Sequence, residues 1–447
     1  MARLVIVSNR VPAARERSQP AGGLTVALKD AILRRETLWF GWSGHLTSGQ
    51  TASEPSIRPG HPTFATIDLP QEAFRSFYEG FSNSTLWPLL HWRPGLAEFR
   101  RDELDAYYAV NDMFAAALAP LLRADDVVWI HDYHLIPLGA ALQARGAAQR
   151  LGFFLHVPFP PAPLFDTLPQ AGQLLKALGA YDLVGVQTRA DATYLQTAVR
   201  SVGGSVPVAP FPVGIGANAF EKLARQAQAI KDTERLHASL AGRTLILGVD
   251  RLDYSKGLPE RFRGYAQLLR RFPAHRNHVT FIQVAPVSRG NVAHYRALRR
   301  ELDELTGRIN GDLAEFNWTP LRYITRSLPR ATLAGFHRLA RVALVTPLRD
   351  GMNLVAKEFI AAQPPDDPGI EVLSRFAGAA EELTDALLVN PSDPDEIAGA
   401  LDAALSMPLE ERKRRWENMM QVVRRHSARA WAESFLERLA DPGRQAA

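Results

Sequence analysis

Short runs of β-branched and aromatic residues alternate with helix-length stretches along almost all of the 447 residues. In the first half, residues 4–7, 126–130, 151–156 and 183–186 read as strands, with residues 101–122 and 190–202 as helices. The second half repeats the scheme, with strands at 245–249, 279–284, 342–346, 370–373 and 386–389. Such alternation argues for parallel sheets joined by right-handed crossovers. Two sheets of this kind in a chain of this length predict the α/β class, with two Rossmann-like domains. The charged helical segment 217–243 separates the last strand of the first half from Leu245. The boundary is therefore expected there, giving domains over residues 1–225 and 226–425 and a last helical segment over 426–447.

Composition narrows the function. A hydrophobic fraction of 46% beside 22% charged residues is ordinary for a water-soluble globular protein. The net charge of +5 is spread without long basic runs, so a nucleic-acid partner is not expected. There is no cysteine, which removes disulfides, thiolate nucleophiles and cysteine zinc sites and agrees with a cytoplasmic enzyme. The apolar run at residues 3–7 is too short for a signal peptide and reads as a first strand. No stretch approaches a membrane span, so no membrane partner is expected.

Several familiar motifs are missing. There is no G-x-x-x-x-G-K-[ST] loop and no G-x-S-x-G elbow, and Gly214-Ile215-Gly216 lacks the third glycine of a dinucleotide fingerprint. His131 and His134 lie three apart without further ligands, so no metal is expected. Asp393-Pro394-Asp395 reads as a turn and helix start.

What is left is a set of polar residues just past strand ends, where open α/β sheets bind ligands. The strand ending at Val249 runs into a turn carrying Arg251 and Lys256, and Gly257-Leu258-Pro259-Glu260 opens an amphipathic helix. Two cations beside a helix N-terminus suit a phosphate or pyrophosphate. Asp250 and Asp253 interleave with them, so a solvated turn is the competing reading. Thr346 to Asn353 sets Asp350 and several backbone amides before a helix that contains Lys357 and Glu358. In the first half, Ser8-Asn9-Arg10 follows strand one, and the Gly22-Gly23 pair suits close backbone approach to an anion. Asp132 and His156 end neighbouring strands, where they suit sugar hydroxyls or serve as structural polar groups. Arg289 follows the strand ending at Val284.

Several of these segments are long and specific. Ser8-Asn9-Arg10, Ala21-Gly22-Gly23-Leu24, Trp39 to Gly44, Phe77 to Pro88, Trp129 to His134, Gly152 to His156, Arg251 to Arg261 and Pro347 to Leu354 together resemble the trehalose-6-phosphate synthases, a family of retaining glycosyltransferases. The resemblance runs from Arg3 to about Met407. It implies the GT-B architecture, two Rossmann-like domains facing across a cleft, with the last helix returning to the first domain. It also implies the reaction: glucose moves from a nucleoside diphosphate glucose, uridine diphosphate glucose foremost, to glucose 6-phosphate. Related synthases with another phosphorylated acceptor, and a catalytically silent sugar-phosphate sensor, are the alternatives.

By the same resemblance Arg251, Lys256, His156 and Asp350 carry the chemistry. Gly22, Gly23, Leu328, Gly351, Met352, Asn353, Leu354, Val355 and Glu358 join Arg251, Lys256 and Asp350 in binding the donor. Arg10, Tyr78, Trp87, Asp132 and Arg289 bind the acceptor. The first domain would hold the acceptor and the second the nucleotide sugar, with no cofactor and no metal. A homo-oligomer is left open. The chain departs from the family at Gly216, where an acidic residue is usual, and in a short connection over residues 201–211.

Overall fold

A computed structural model describes residues 2–12, 28, 35–287 and 293–441. Their chain path separates into two units, the first ending at Pro212 and regaining the chain at Arg429, the second spanning the residues between.

The first unit is built on one sheet. Its strands are β1 (Leu4–Arg10), β2 (Thr37–Thr47), β3 (Ser56–Arg58), β4 (Thr63–Pro70), β5 (Val127–His131), β6 (Arg150–Phe154), β7 (Leu183–Val186) and β8 (Val208–Pro210). They lie in the order β3-β4-β2-β1-β5-β6-β7-β8, and every pairing is parallel except β3 with β4. Helices α1 (Arg101–Leu118) and α2 (Arg189–Ser201) are among its crossovers. From β4 to β7 the order is the doubly wound one, so the winding reverses between β1 and β5. Arg10 and Asp132 leave the sheet at that reversal.

The same unit receives the closing helix, Ala428–Ala440. The indole of Trp129 stacks on Phe435 with centroids 4.7 Å apart. A Cβ on Gly152 or Gly185 would stand 2.8 Å from the Phe435 ring, so glycines on β6 and β7 make room for it.

The second unit holds α3 (Ala217–Gln226), β9 (Thr244–Val249), α4 (Leu258–Arg271), β10 (Val279–Val284), β11 (Leu321–Ile324), α5 (Arg330–Leu339), β12 (Val342–Val345), α6 (Leu354–Ala362), β13 (Ile370–Ser374), β14 (Leu387–Val389), α7 (Pro394–Ser406) and α8 (Leu409–Arg425). The sheet order is β11-β10-β9-β12-β13-β14, all parallel, which is the full doubly wound order. Its reversal lies between β9 and β12, whose following loops carry Lys256 and Asp350.

The structure differs from the sequence reading in three places. Periodicity marks no strand at β2, β3, β4, β8 or β11. β2 is interrupted by Gly41 and Gly44 and carries a register shift, while β3, β8 and β11 have three or four residues each. The chain leaves the first unit at Pro212 rather than near residue 225, because α3 packs against α5 and α6 of the second unit. The last helical segment, expected over residues 426–447, is a helix over Ala428–Ala440, which His426-Ser427 separate from α8. There the His426 carbonyl lies 1.6 Å from where a Gly214 Cβ would stand, and the ring contacts Glu382. Among the described residues no helix is long and apolar enough to cross a membrane.

Candidate functional site

In the second unit the site grows out of two strand-to-helix turns. After β9 the chain makes a single turn at Tyr254–Lys256, started by Asp253, whose carboxylate accepts from the Ser255 amide at 3.0 Å. Gly257 then takes φ +61°, and a Cβ there would meet the Thr346 carbonyl at 2.2 Å. Only glycine permits both the backbone angle and the contact. This close approach lays the turn after β9 against the loop after β12, and Leu348 N donates to Ser255 O at 2.8 Å.

Across that contact Lys256 Nζ donates to Asp350 Oδ2 at 2.5 Å, with both side chains mostly buried. Asn353 Nδ2 donates to the same oxygen at 3.0 Å. Asp350 is fixed by its own backbone as well: its amide donates to Phe376 O at 3.2 Å and its carbonyl accepts from Gly378 N at 3.1 Å. Asn353 caps α6 at φ +80°, and its Oδ1 accepts from Ala356 N at 3.2 Å. Gly351, Met352, Leu354 and Val355 therefore surround the positive end of α6. A lysine and a helix N-terminus meeting one carboxylate form a place where an anion and a hydroxyl-bearing group bind side by side.

The other predicted donor residues lie around this centre. Arg251 is exposed just past β9. Glu358, on the second turn of α6, meets Arg330 at 3.5 Å. Burial raises its pKa and Arg330 works against that rise. Leu328 is buried shortly before α5, the helix that Arg330 opens. Lys357, wholly buried, donates to Val213 O at 2.8 Å and pairs with Glu382 at 2.5 Å, anchoring α6 from beneath.

In the first unit Arg10, Tyr78 and Trp87 fall on one run of neighbouring rings. The Arg10 guanidinium lies 5.8 Å from the Trp42 ring. Trp42 meets Phe74 at 4.6 Å, Phe74 stacks on Tyr78 at 5.0 Å, and Tyr78 stacks on His134 at 5.6 Å. His134 then meets Tyr133 at 4.0 Å, and Tyr133 meets Trp87 at 5.6 Å. Tyr78 lies in a 12-residue π-helix, Arg75–Leu86, held by Asn83 Nδ2 donating to Tyr78 O at 2.7 Å and Ser84 Oγ to Glu79 O at 2.8 Å. Long π-helical segments are rare and frequently mark functional sites.

Asp132 takes φ +77°, a strained angle for aspartate, while its Oδ1 accepts from His156 N at 3.3 Å. His156 Nε2 lies 3.0 Å from His131 Nδ1, and burial depresses its pKa to about 3. The imidazole is therefore neutral at any physiological pH. Gly22, Gly23 and Arg289 lie outside the described residues.

Residues the sequence reading passed over also belong to these sites. Arg330 gave no signal, because an arginine at a helix start looks like any surface cation. Tyr133 and Asn83 lay inside noted segments, and the Tyr133 hydroxyl donates to Asn83 Oδ1 at 2.8 Å, which ties the π-helix to the end of β5.

Comparison with known proteins matches Glycosyltransferase family 20 over residues 2–441. A trehalose-6-phosphate synthase of Sinorhizobium fredii is 46% identical, with 98% of each chain covered. The crystal structure of an alpha,alpha-trehalose-phosphate synthase (UDP-forming) from Burkholderia xenovorans, in complex with glucose-6-phosphate, is 44% identical. It superimposes with a TM-score of 0.95 over 98% of this chain and 100% of that one. The Escherichia coli enzyme bound with UDP-2-fluoro glucose gives 42% identity and a TM-score of 0.92, covering 98% and 99%.

Proposed function

Because the chain belongs to glycosyltransferase family 20, we propose that it moves glucose from a nucleoside diphosphate glucose, uridine diphosphate glucose foremost, to glucose 6-phosphate, giving α,α-trehalose 6-phosphate and the nucleoside diphosphate. The observation that carries this reading is the meeting of Lys256, Asp350 and the N-terminus of α6 at the reversal of the second sheet. The second unit takes the donor and the first takes the acceptor.

On this reading Arg251 and Lys256 hold the donor diphosphate, and Gly22 and Gly23 approach it through their backbone. Lys256 turns from Asp350 to the phosphates, which frees the Asp350 carboxylate for hydroxyls of the transferred glucose. The amides of Gly351, Met352 and Asn353 complete that pocket, and neutral His156 is a further residue for the transferred glucose. Leu354 and Val355 support the diphosphate end, Leu328 lies by the base, and Glu358 accepts from ribose hydroxyls. Arg10, Arg289 and Tyr78 hold the acceptor phosphate, Trp87 packs beside it, and Asp132 accepts from acceptor hydroxyls.

Retention at the donor carbon then needs no covalent carboxylate, unlike the two-carboxylate scheme of retaining glycosidases. The acceptor hydroxyl attacks from the face the diphosphate leaves, and a departing phosphate oxygen takes its proton. The protein contributes position and the cations that meet charge developing on the leaving group.

An activity panel tests the reading. Uridine, guanosine and adenosine diphosphoglucose are each offered with glucose 6-phosphate, glycerol 3-phosphate and free glucose. Glucose 6-phosphate is expected to react fastest; a faster reaction with glycerol 3-phosphate would overturn the acceptor while leaving the fold intact.

Arg10→Ala separates acceptor from donor recognition. Losing one charged hydrogen bond costs about 1.5–3 kcal/mol, or about 10- to 150-fold. Glucose 6-phosphate use should fall by that range, with the slow rate on free glucose and the affinity for uridine diphosphate nearly unchanged. An equal fall on both acceptors would remove Arg10 from the phosphate site.

A further inference from the structure

Beneath the Lys256 turn lies a wholly buried arginine. Arg261 is on α4, within the apolar stripe formed by Leu258, Phe262, Tyr265 and Leu269, and no part of it reaches solvent. Its Nη1 donates to Asp250 Oδ2 at 2.6 Å and to Gln283 Oε1 at 2.8 Å, and its Nε donates to Thr346 Oγ1 at 3.0 Å. Its Nη2 lies 3.4 Å from the Lys256 carbonyl. One guanidinium thus joins the end of β9, the body of β10, the end of β12 and the turn that bears Lys256. Space is reserved for it: a Cβ on Gly248 would stand 2.3 Å from Gln283 Oε1 and 2.9 Å from Arg261 Nη1.

Asp250 gives the arrangement its electrical meaning. The carboxylate is buried, which raises its pKa, and Arg261 and Lys256 are the cations that oppose the rise. The charges therefore run Arg261, Asp250, Lys256, Asp350, alternating in sign. With Arg261 removed, Asp250 would be a buried carboxylate whose only opposing cation of the two is Lys256. Breaking a buried pair leaves the remaining charge uncompensated, which is far more costly than replacing both partners.

We infer that Arg261 is a positioning residue of the donor site: by engaging Asp250 and fixing the turn from below, it keeps Lys256 available to the donor diphosphate. The inference rests on the donor reading above. Arg261 touches no substrate and acts only through Lys256.

The test compares Arg261→Lys, Arg261→Met, Asp250→Asn/Arg261→Met and Lys256→Ala by steady-state kinetics, calorimetric binding of uridine diphosphate and thermal unfolding. Arg261→Met should weaken uridine diphosphate binding and raise the donor KM about tenfold or more, the effect of one charged hydrogen bond, with the glucose 6-phosphate KM unchanged. The doubly neutral variant should recover most of that loss, because no stray carboxylate competes for Lys256. Arg261→Lys retains the charge but not the fork that spans three strands, so donor kcat/KM should fall about tenfold at a near-parental unfolding temperature. It decides the matter if Arg261→Met does not fold.

Donor kcat/KM within about twofold of the parent in Arg261→Lys, beside a lowered unfolding temperature, would show a purely structural role. So would an Arg261→Met protein that folds and binds uridine diphosphate normally. If Lys256→Ala itself leaves uridine diphosphate binding untouched, the donor reading fails instead, and the two failures are distinct.

Discussion

Lys256→Ala is expected to lower kcat by about a hundredfold or more, with a smaller loss of donor affinity. The ground state already offers Lys256 a partner, since its Nζ lies 2.5 Å from Asp350. Moving it to the diphosphate exchanges one charged contact for another, so it contributes less to ground-state binding than to the transition state. In the transition state the leaving diphosphate gains charge, and only there does the ammonium interact more strongly than before. The larger loss therefore falls on kcat. Asp350→Asn should also slow turnover, by replacing the charged acceptor for sugar hydroxyls with a neutral amide that has one acceptor oxygen. Because the two side chains touch, the double variant should lose much less than the product of the single effects. Steady-state rates at saturating acceptor check this. A raised donor KM with kcat unchanged would place Lys256 in ground-state binding alone.

The second large effect concerns stability. Glu371 lies on β13 opposite Ala343, is completely buried, and neither carboxyl oxygen has a hydrogen-bond partner among the described residues. Desolvation pushes its pKa from 4.5 up to about 8. Below the lower value the carboxyl is neutral in both folded and unfolded chains, so it has no effect. Between the two values the unfolded chain ionises while the folded one does not, and stability falls as pH rises. Above the folded value the loss levels off, at roughly 5 kcal/mol for a shift of this size.

Glu371→Gln removes this titration. The variant should match the parent near pH 4.5 and be progressively more stable towards pH 9, as read by denaturant midpoints across that range. The difference between the two curves isolates Glu371 from every other titrating group. Parallel curves would mean that the carboxyl has found a partner or water in the folded state.

Glu371 also shows what a sequence conceals. In Ile370 to Ser374 a lone glutamate within an apolar strand gives no sign of whether it points to water or to the core; only packing on both faces of the sheet settles that. Arg261 differs, because it falls on the apolar stripe of an amphipathic helix, and a charge at such a position is a legible hint of a buried network. Its partners are not legible: Gln283 and Thr346 lie 22 and 85 residues away.

The sequence by itself determined the α/β class, the two-sheet organisation and the short polar segments at the strand ends, because strand and helix periodicity and turn chemistry are local. It also carried the family, since Arg251 to Arg261 and Pro347 to Leu354 are specific runs. Tertiary structure alone decided the strand order, and with it which loops meet. Lys256 and Asp350 are 94 residues apart and become neighbours because β12 is laid beside β9. Arg10, Tyr78 and Trp87 join one run of rings only through the π-helix and the rings of Trp42, Phe74, His134 and Tyr133. Sheet pairing and burial are long-range effects, set by which apolar faces exclude water together, and no window along the chain contains them.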